Sequence, residues 1–327
     1  MRVLSGIQSS GKLHLGNYLG AMRQYLQMQR EHECFFFIAN YHALTTIQDA
    51  ALLAALTRDV ALDYLAIGLD PDKACLFRQT DVPQVCELTW ILSCVTGKGL
   101  LERATSYKDK VAKGIASSMG LFAYPILMAA DILIYRSDLV PVGKDQVQHI
   151  EMAQDMAGYL NQVVGREVLK RPEAKLNEAM IVPGVDGQKM SKSYGNTIDL
   201  FDTPKKTRKR IMSIKTDSTP VTDPKNPETC HVFALYRLLA EPDEVTAMRA
   251  RYEAGGMGYG DAKKELADVV DRVLGPARER RAELEKDPDY VEDVLRTNGA
   301  KARAVAAAVM ADVREACGLL VSKDTHR

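Results

Sequence analysis

Apolar and polar positions change their spacing about two thirds of the way along the chain. The first two hundred residues alternate short β-rich runs with longer segments of helical period. The predicted strands are RVLSGI (2–7), CFFFIAN (34–40), ACLFRQ (74–79) and DLVPVG (138–143). The predicted helices cover 17–33, 49–68, 83–97 and 121–136, with Asp49 as an N-cap and Gly68 as a stop. This alternation predicts an α/β fold with a doubly wound, Rossmann-like parallel sheet.

The last third of the chain lacks the β-rich runs. From about residue 203 it shows almost no β-branched alternation, and amphipathic helices are predicted at 228–241, 260–286 and 289–318. The pattern therefore predicts two domains: a sheet domain at 1–202, followed by an all-helical C-terminal domain at 203–327.

Composition narrows the class of protein without naming a function. The 327 residues are 46% hydrophobic, enough for a substantial core. Lys+Arg and Asp+Glu are both 43, so a nucleic-acid partner must be held by local patches. One candidate patch is PKKTRKR (204–210), although a solvated helix face would look the same.

Targeting and cysteine patterns point to a cytoplasmic protein. No run of 18 apolar residues and no signal-like segment is found, so a soluble cytoplasmic protein without membrane contact is predicted. The cysteines form no CxxC pair, which argues against a zinc site or a disulfide framework. Buried reduced thiols are predicted at Cys34, Cys75, Cys86, Cys94, Cys230 and Cys317.

Two turns that follow predicted strands have residues suited to a nucleotide. In GIQSSGKLHLGN (6–17) small residues let the backbone approach a phosphate, and His14 and Asn17 are spaced to face one way. In VPVGKDQVQH (140–149), Asp145 and Gln146 could bond ribose hydroxyls or an ammonium group. An ordinary strand-to-helix turn explains the first stretch equally well, and an ordinary helix start explains the second better when that stretch is taken alone. Neither GxGxxG nor GxxxxGK[ST] occurs.

Two further features concern charge. Asp131 lies inside the apolar segment LFAYPILMAADILIY and needs a donor, from a ligand or from the surrounding core. The stretch PGVDGQKMSKSYGN (183–196) places Lys189 and Lys192 between glycines with no acid among them. Two ammonium groups and two hydroxyls at this spacing suit a clamp for a triphosphate, whereas a solvated linker is the alternative.

KMSKS (189–193) together with SGKLHLGN (10–17) resembles the paired motifs of class I aminoacyl-tRNA synthetases, with HLGN in place of HIGH. GIQSSGKLHLGNYLGA, YHALT, YPILMAADILIY and VPVGKDQVQH are similar to the tryptophanyl-tRNA synthetase family over nearly the whole chain. The resemblance implies activation of L-tryptophan by ATP to tryptophanyl-adenylate and pyrophosphate, followed by transfer to tRNA(Trp).

The resemblance also implies residue roles. Asp131 would accept the indole N–H, and the tryptophan pocket would comprise Leu4, His42, Met128, Asp131, Val140, Val142 and Gln146. ATP would contact Gln8, Ser9, Ser10, Gly16, Asn17, Gly143, Lys144, Asp145, Val182, Lys189, Met190, Ser191, Lys192 and Ser193. The catalytic residues would be His14, Asn17, Lys110, Lys189, Ser191 and Lys192.

Cofactors and partners follow from the same resemblance. ATP is the co-substrate, Mg²⁺ arrives on its phosphates, and no dedicated protein metal site is expected. The helical domain would read the anticodon of tRNA(Trp), the acceptor end would reach the first domain, and residues 75–135 would contribute to a homodimer interface.

Three alternatives stay open at this point. Tyrosyl-tRNA synthetases share the fold and in some members the aspartate, but have Gln where Met128 stands, and an apolar Met suits an indole face. A small nucleotidyltransferase would leave KMSKS and the helical region unexplained. A catalytically idle paralogue acting as a regulator would have no need of the lysine clamp.

Overall fold

A computed structural model describes residues 1–9, 11–104, 118–176 and 182–320, except for the side chain of Asp145. Its centre is a parallel five-stranded sheet in the order β3-β2-β1-β4-β5. The strands are β1 (Arg2–Ile7), β2 (Glu33–Ile38), β3 (Ala74–Arg78), β4 (Leu139–Val142) and β5 (Glu173–Leu176). The predicted α/β class is confirmed. The edge strand β5 was not predicted because its sequence, EAKL, is short and largely exposed.

Helices cover both faces of the sheet and fill the C-terminal third. They are α1 (Leu15–Asn17), α2 (Arg23–Met28), α3 (Asn40–Ala43), α4 (Ala50–Ala66), α5 (Gln84–Val95), α6 (Lys98–Glu102), α7 (Met119–Leu133), α8 (Val147–Val164), α9 (Pro204–Met212), α10 (His231–Leu239), α11 (Pro242–Ala254), α12 (Tyr259–Leu284) and α13 (Pro288–Ala316). Short 3₁₀ turns lie at Gln79–Asp81, Lys144–Gln146, Lys192–Tyr194 and Pro227–Thr229.

Helix boundaries agree with the sequence in one place and differ in another. Asp49 caps α4 as predicted, its side chain accepting the Leu52 N–H at 3.0 Å, and Gly68 follows the helix with φ +107°. The single helix predicted at 17–33 is wrong. A π-helical segment, Tyr18–Met22, separates α1 from α2, and the weak helix former Gly20 lies within this widened turn.

The two faces of the sheet carry two hydrophobic cores. Successive residues of β2 alternate between them: Phe36 and Ile38 join one core, while Phe35 and Phe37 join the other. A strand apolar on both faces is what a sheet covered on both sides requires. This arrangement leaves the sheet's carboxyl edge, between the two helical layers, as the place where loops can form a site.

The C-terminal helices pack against the sheet domain and against one another. Helix α12 contacts α4, α9 and α10, and α13 returns to lie on β3. Ala306 and Met310 of α13 are fully buried in the core that contains Phe35 and Phe37. All of 203–320 is described, and its regular elements are helices, as predicted. The boundary at residue 202 stays a prediction, since α13 shares a core with the sheet.

The cysteine prediction is partly wrong. All six thiols are free, and Cys34 and Cys230 are buried, but Cys86 and Cys94 on α5 are exposed. Apolar residues occur all round this helix, so its sequence did not reveal which side faces outward. Among the described helices, none is long and apolar enough to cross a membrane.

Candidate functional site

The strand order reverses direction between β1 and β4. Open parallel sheets bind ligands at such a switch point, outside the carboxyl ends of the strands. The turn after β1 contains HLGN, and the turn after β4 begins at Gly143. The segment directly after the loop at 182–196 approaches the first of these turns through an isolated bridge between His14 and Asp199. The fold therefore gathers the sequence-predicted segments at one edge.

The turn after β1 holds polar atoms that lack partners. Ser9 is fully buried, and neither its Oγ nor the buried Nδ1 of His14 has a hydrogen-bond partner among the described residues. Asn17 accepts the His14 backbone N–H at 3.0 Å, which shapes the start of α1. Gln8 is exposed, and Ser10 lies outside the described residues. Buried polar atoms without partners are unusual and favour a ligand here.

His14 is a neutral group in this site. Burial lowers its pKa to about 4, the nearby ammonium of Lys192 adds to the effect, and Asp199 opposes it. The imidazole is therefore uncharged at neutral pH. The positive charge available to an anion comes from the lysines of the loop.

The lysine loop, residues 182–196, has a defined shape. Its base is closed by the Met190 N–H donating to the Val182 carbonyl at 2.8 Å. Lys192 begins a 3₁₀ turn that ends at Gly195, whose φ of +61° favours glycine. The Lys192 ammonium donates to the Gly11 carbonyl at 3.1 Å. Lys192 thus bridges the two motifs singled out in the sequence.

Asn196 organises the loop from inside, and the sequence analysis missed it. Its side chain is buried, and its Oδ1 accepts the Ser191 N–H at 2.8 Å. Its Nδ2 donates to Asp186 Oδ1 at 2.8 Å and to the Lys189 carbonyl at 3.1 Å. The hydroxyls of Ser191 and Ser193 lie 2.9 Å apart. A loop held this way differs from the solvated linker considered above, although Lys189 and Lys192 remain exposed.

Met190 and Gly16 join the two motifs directly. The Gly16 N–H donates to the sulfur of buried Met190 at 3.3 Å. A Cβ at position 16 would lie 3.0 Å from the His14 ring and 3.3 Å from Met190 Cβ. Glycine is therefore needed at this position for the close approach of α1 to the loop.

Asp131 obtains its donors from the protein. The carboxylate, 1% exposed in α7, accepts from His42 Nε2 at 2.8 Å through Oδ2. Gln79 Nε2 donates to Oδ1 at 2.9 Å and to Oδ2 at 2.8 Å. Burial raises the pKa of Asp131, and the hydrogen bonds from His42 and Gln79 act against that rise. The sequence left open whether a ligand or the surrounding core donates to Asp131. The described donors, His42 and Gln79, belong to the protein.

Gln79 is a second residue that sequence reasoning missed. It is 1% exposed, and its Oε1 accepts the Tyr41 N–H at 3.0 Å, so it also holds α3. A signal was available, because a polar residue directly after the buried strand β3 lies at the carboxyl edge of the sheet. The predicted strand 74–79 includes Gln79 as its last residue and assigns it no role.

Four of the remaining predicted pocket residues belong to one hydrophobic core. Leu4, Val140 and Val142 are buried in one apolar cluster, and Met128 packs against it one turn before Asp131. Gln146 Oε1 lies 2.9 Å from His149 Nδ1, and the His149 Nε2 lies 3.2 Å from the Tyr124 hydroxyl. His149 and Tyr124 were not predicted. Little in the sequence singles them out, because each lies inside a predicted or observed helix and belongs to no recognised motif of its own.

The turn after β4 starts at Gly143, whose carbonyl accepts the Gln146 N–H at 2.9 Å. Lys144 is exposed. The side chain of Asp145 and the whole of Lys110 lie outside the described residues, so their predicted roles are untested. Within the described ranges, no group of three or more His, Cys, Asp or Glu side chains is arranged to hold a metal ion.

Comparisons with known proteins agree with this geometry. A family described as tRNA synthetases class I (W and Y) matches residues 1–275. The tryptophan–tRNA ligases of Rhodopirellula baltica and Fusobacterium nucleatum are 54% and 52% identical over 320 residues, 98% of this chain and 100% and 98% of theirs. The crystal structure of Campylobacter jejuni tryptophanyl-tRNA synthetase with ADP and tryptophan is 47% identical, with a TM-score of 0.93 over 97% of this chain and 100% of that one.

Proposed function

The chain belongs to the class I tRNA synthetases for tryptophan and tyrosine, and we propose that it is a tryptophan–tRNA ligase. It activates L-tryptophan with ATP, releases pyrophosphate and transfers the aminoacyl group to tRNA(Trp). The curated relatives that are 45–54% identical over nearly the whole chain are tryptophan–tRNA ligases, which supports tryptophan over tyrosine.

The observation that carries the choice of amino acid is the hydrogen bonding of Asp131. An ionised carboxylate offers about four acceptor positions. Among the described residues, His42 Nε2 bonds to Oδ2, and Gln79 Nε2 is shared between Oδ2 and Oδ1. One position on Oδ1 is left for a donor, and the indole N–H of tryptophan is a donor only.

A tyrosine side chain fits the same group less well. Its hydroxyl would donate to Asp131, but its oxygen would then need a donor of its own. Gln79 directs its amide nitrogen at both oxygens of Asp131 and its own oxygen at the backbone of α3. A buried phenol oxygen without a donor costs free energy, and a site of this kind discriminates strongly. Met128 and the two valines supply an apolar surface for the indole ring.

ATP binding is proposed at the turn after β1 and the lysine loop. Ser9 Oγ and His14 Nδ1, which have no partner in the part of the chain that the structure describes, lie there, and Lys189 and Lys192 are exposed on the loop. The tryptophan carboxylate attacks the α-phosphate, forming a C–O–P anhydride while the bond to pyrophosphate breaks. The carboxylate is already ionised, so no base is required. Catalysis then consists of positioning and of stabilising charge on the leaving group.

Mg²⁺ is proposed to enter with the phosphates of ATP. Cations of this type are commonly bound through one or two carboxylates together with substrate phosphates. The phosphates are taken as the main ligands of the ion, and the exposed Lys189 and Lys192 of the loop as the nearby cations. The bound ion would neutralise phosphate charge alongside the lysines.

The tRNA is proposed to lie along the helical C-terminal region, with the anticodon read there. Within the basic stretch, Arg208 pairs with Asp268 and Arg210 binds backbone carbonyls. Lys205, Lys206 and Lys209 remain exposed on α9 and are suited to phosphate contacts.

A homodimer is proposed through the face formed by α3, α5 and α7. Trp90 and Met119 are 71% and 76% exposed there, and Leu44 is 49% exposed. A cavity of about 360 Å³ between the three helices includes Leu44 and Leu127 in its lining. Exposed apolar residues gathered on one face are typical of an interface.

A cytoplasmic location stays a prediction.

ATP–pyrophosphate exchange with the purified chain tests the activity, with tryptophan and tyrosine in separate reactions. Exchange with tryptophan alone is expected. Exchange with tyrosine would retain the adenylation chemistry but contradict the account of Asp131, and no exchange with either would favour the regulator alternative.

A further inference from the structure

We propose that Arg210, on helix α9, is a positioning residue for the loop lysine Lys192. Arg210 belongs to the basic stretch considered above as a phosphate-binding patch. Its guanidinium instead contacts the lysine loop from outside. The inference rests on the proposed adenylation activity, because it concerns how the loop is held during that reaction.

The contacts of Arg210 are directed at backbone atoms. Its Nε donates to the Thr197 carbonyl at 2.8 Å, and its Nη2 donates to the Gly195 carbonyl. A guanidinium presents several donors in a rigid plane, so it can hold two carbonyls in a fixed relation where an ammonium group cannot. The two carbonyls are separated by Asn196, the residue that ties the loop together internally.

Gly195 connects Arg210 to Lys192. The Gly195 N–H donates to the Lys192 carbonyl at 3.0 Å and so closes the 3₁₀ turn Lys192–Tyr194. Arg210 binds the carbonyl of the same glycine. The orientation of the turn, and with it the direction of the Lys192 side chain, therefore depends on a group outside the loop.

Helix α9 is a firm base for this contact. Thr203 caps its N-terminus by accepting the Lys206 N–H, and Thr207 and Ile211 are buried. Arg278 of α12 donates to Thr207 Oγ1 at 2.8 Å and forms an ion pair with Asp271. Arg210 thus links the loop to the packed helices of the C-terminal region.

The expected effect is on turnover and not on amino-acid binding. A displacement of about 1 Å in a catalytic group can cost about a hundredfold in rate. The described hydrogen bonds of Asp131 go to His42 and Gln79 and not to α9, so tryptophan affinity should be unchanged when Arg210 is replaced.

The test compares Arg210→Gln and Arg210→Lys with Arg208→Gln as a matched control. Arg208 lies on the same helix but pairs with the exposed Asp268. In tryptophan-dependent ATP–pyrophosphate exchange, Arg210→Gln should lower kcat by roughly ten- to a hundredfold. Arg210→Lys should recover part of that loss in kcat. The kcat of Arg208→Gln should match that of wild type, and so should the tryptophan Kd of all three variants.

A double-mutant cycle with Lys192→Ala separates positioning from general destabilisation. If Arg210 acts through Lys192, Arg210→Gln adds little to the loss already caused by Lys192→Ala. The proposal would be overturned if the double mutant lost kcat by the product of the two single losses. It would also be overturned if a folded Arg210→Gln variant kept the kcat of wild type. If Arg210→Gln does not fold, Arg210→Lys carries the same cycle. Absence of exchange in the wild type would instead contradict the proposed function, so the two failures are distinguishable.

Discussion

The two ends of the candidate site are built differently. At the proposed amino-acid end, Asp131 and Gln79 are almost fully buried and joined by side-chain hydrogen bonds. At the proposed pyrophosphate end, Lys189 and Lys192 are exposed on a loop held by backbone contacts and by Asn196. A buried acceptor with one position left for a donor favours selection of one ligand, whereas an exposed clamp can release a product. Specificity and turnover are therefore assigned to opposite ends.

The largest effect expected is the loss of turnover in Lys192→Ala. Removing one preorganised donor to developing charge typically lowers kcat by about a hundred- to a thousandfold. Tryptophan binding should stay near wild type, because the amino-acid end is separate. Single-turnover adenylate formation and a tryptophan-binding titration give the two quantities.

Lys209→Ala is the matched control for this experiment, since Lys209 is an exposed lysine on α9. It should exchange pyrophosphate like wild type. Unaltered exchange by Lys192→Ala would contradict the role assigned to the loop. If Lys192→Ala also lost tryptophan affinity, the two ends of the site would not act separately.

Asp131→Asn should affect the opposite end. The new amide nitrogen must face a donor, either His42 Nε2–H or a Gln79 amide hydrogen, and the acceptor for the indole is weakened. Hydrogen bonds to charged groups contribute about 1.5–3 kcal/mol, so tryptophan affinity should fall about ten- to a hundredfold. Calorimetric titration with tryptophan measures this.

Asp268→Asn serves as the surface control for Asp131→Asn, and ATP affinity should be unaffected in both variants. A wild-type tryptophan Kd in a folded Asp131→Asn protein would show that the aspartate does not recognise the indole.

A smaller change is expected for Gln79→Leu. Asp131 would keep its bond from His42 but lose both bonds from Gln79, and the Tyr41 N–H would lose its acceptor. We expect KM for tryptophan to rise about tenfold, on the scale of one lost hydrogen bond to a charge, with KM for ATP unchanged. Steady-state exchange kinetics provide both values, and a change confined to KM for ATP would contradict the role given to Gln79.

Sequence predicted this site unevenly, for physical reasons. The parallel sheet follows from buried strands such as CFFFIAN, and the lysine loop stands out because glycines and lysines are placed together without acids. Gln79 was missed because its role depends on long-range contacts with Tyr41 and Asp131, which local periodicity does not encode. Asn196 was missed because its bonds lie within one irregular loop, where no periodic pattern marks a buried residue. Arg210 was grouped with a basic patch because charge alone does not show that a guanidinium is bound to backbone carbonyls.

The smallest effect expected is a pH dependence of stability at the pyrophosphate end. The pKa of His14 is about 4 in the folded chain, against an ordinary value of 6.5, mainly because of burial and secondly because of Lys192. Between these values the unfolded chain binds more protons than the folded chain, so stability falls as the pH drops from 6.5 towards 4.

His14→Gln removes this titration, and thermal unfolding across that pH window measures its contribution. The Tm of wild type should fall further than that of His14→Gln between pH 6.5 and 4.5, by a few degrees. Parallel Tm curves would mean that His14 is not held neutral by the fold. A steeper fall in wild type would instead show that protonation of His14 opposes the packing of HLGN against Lys192.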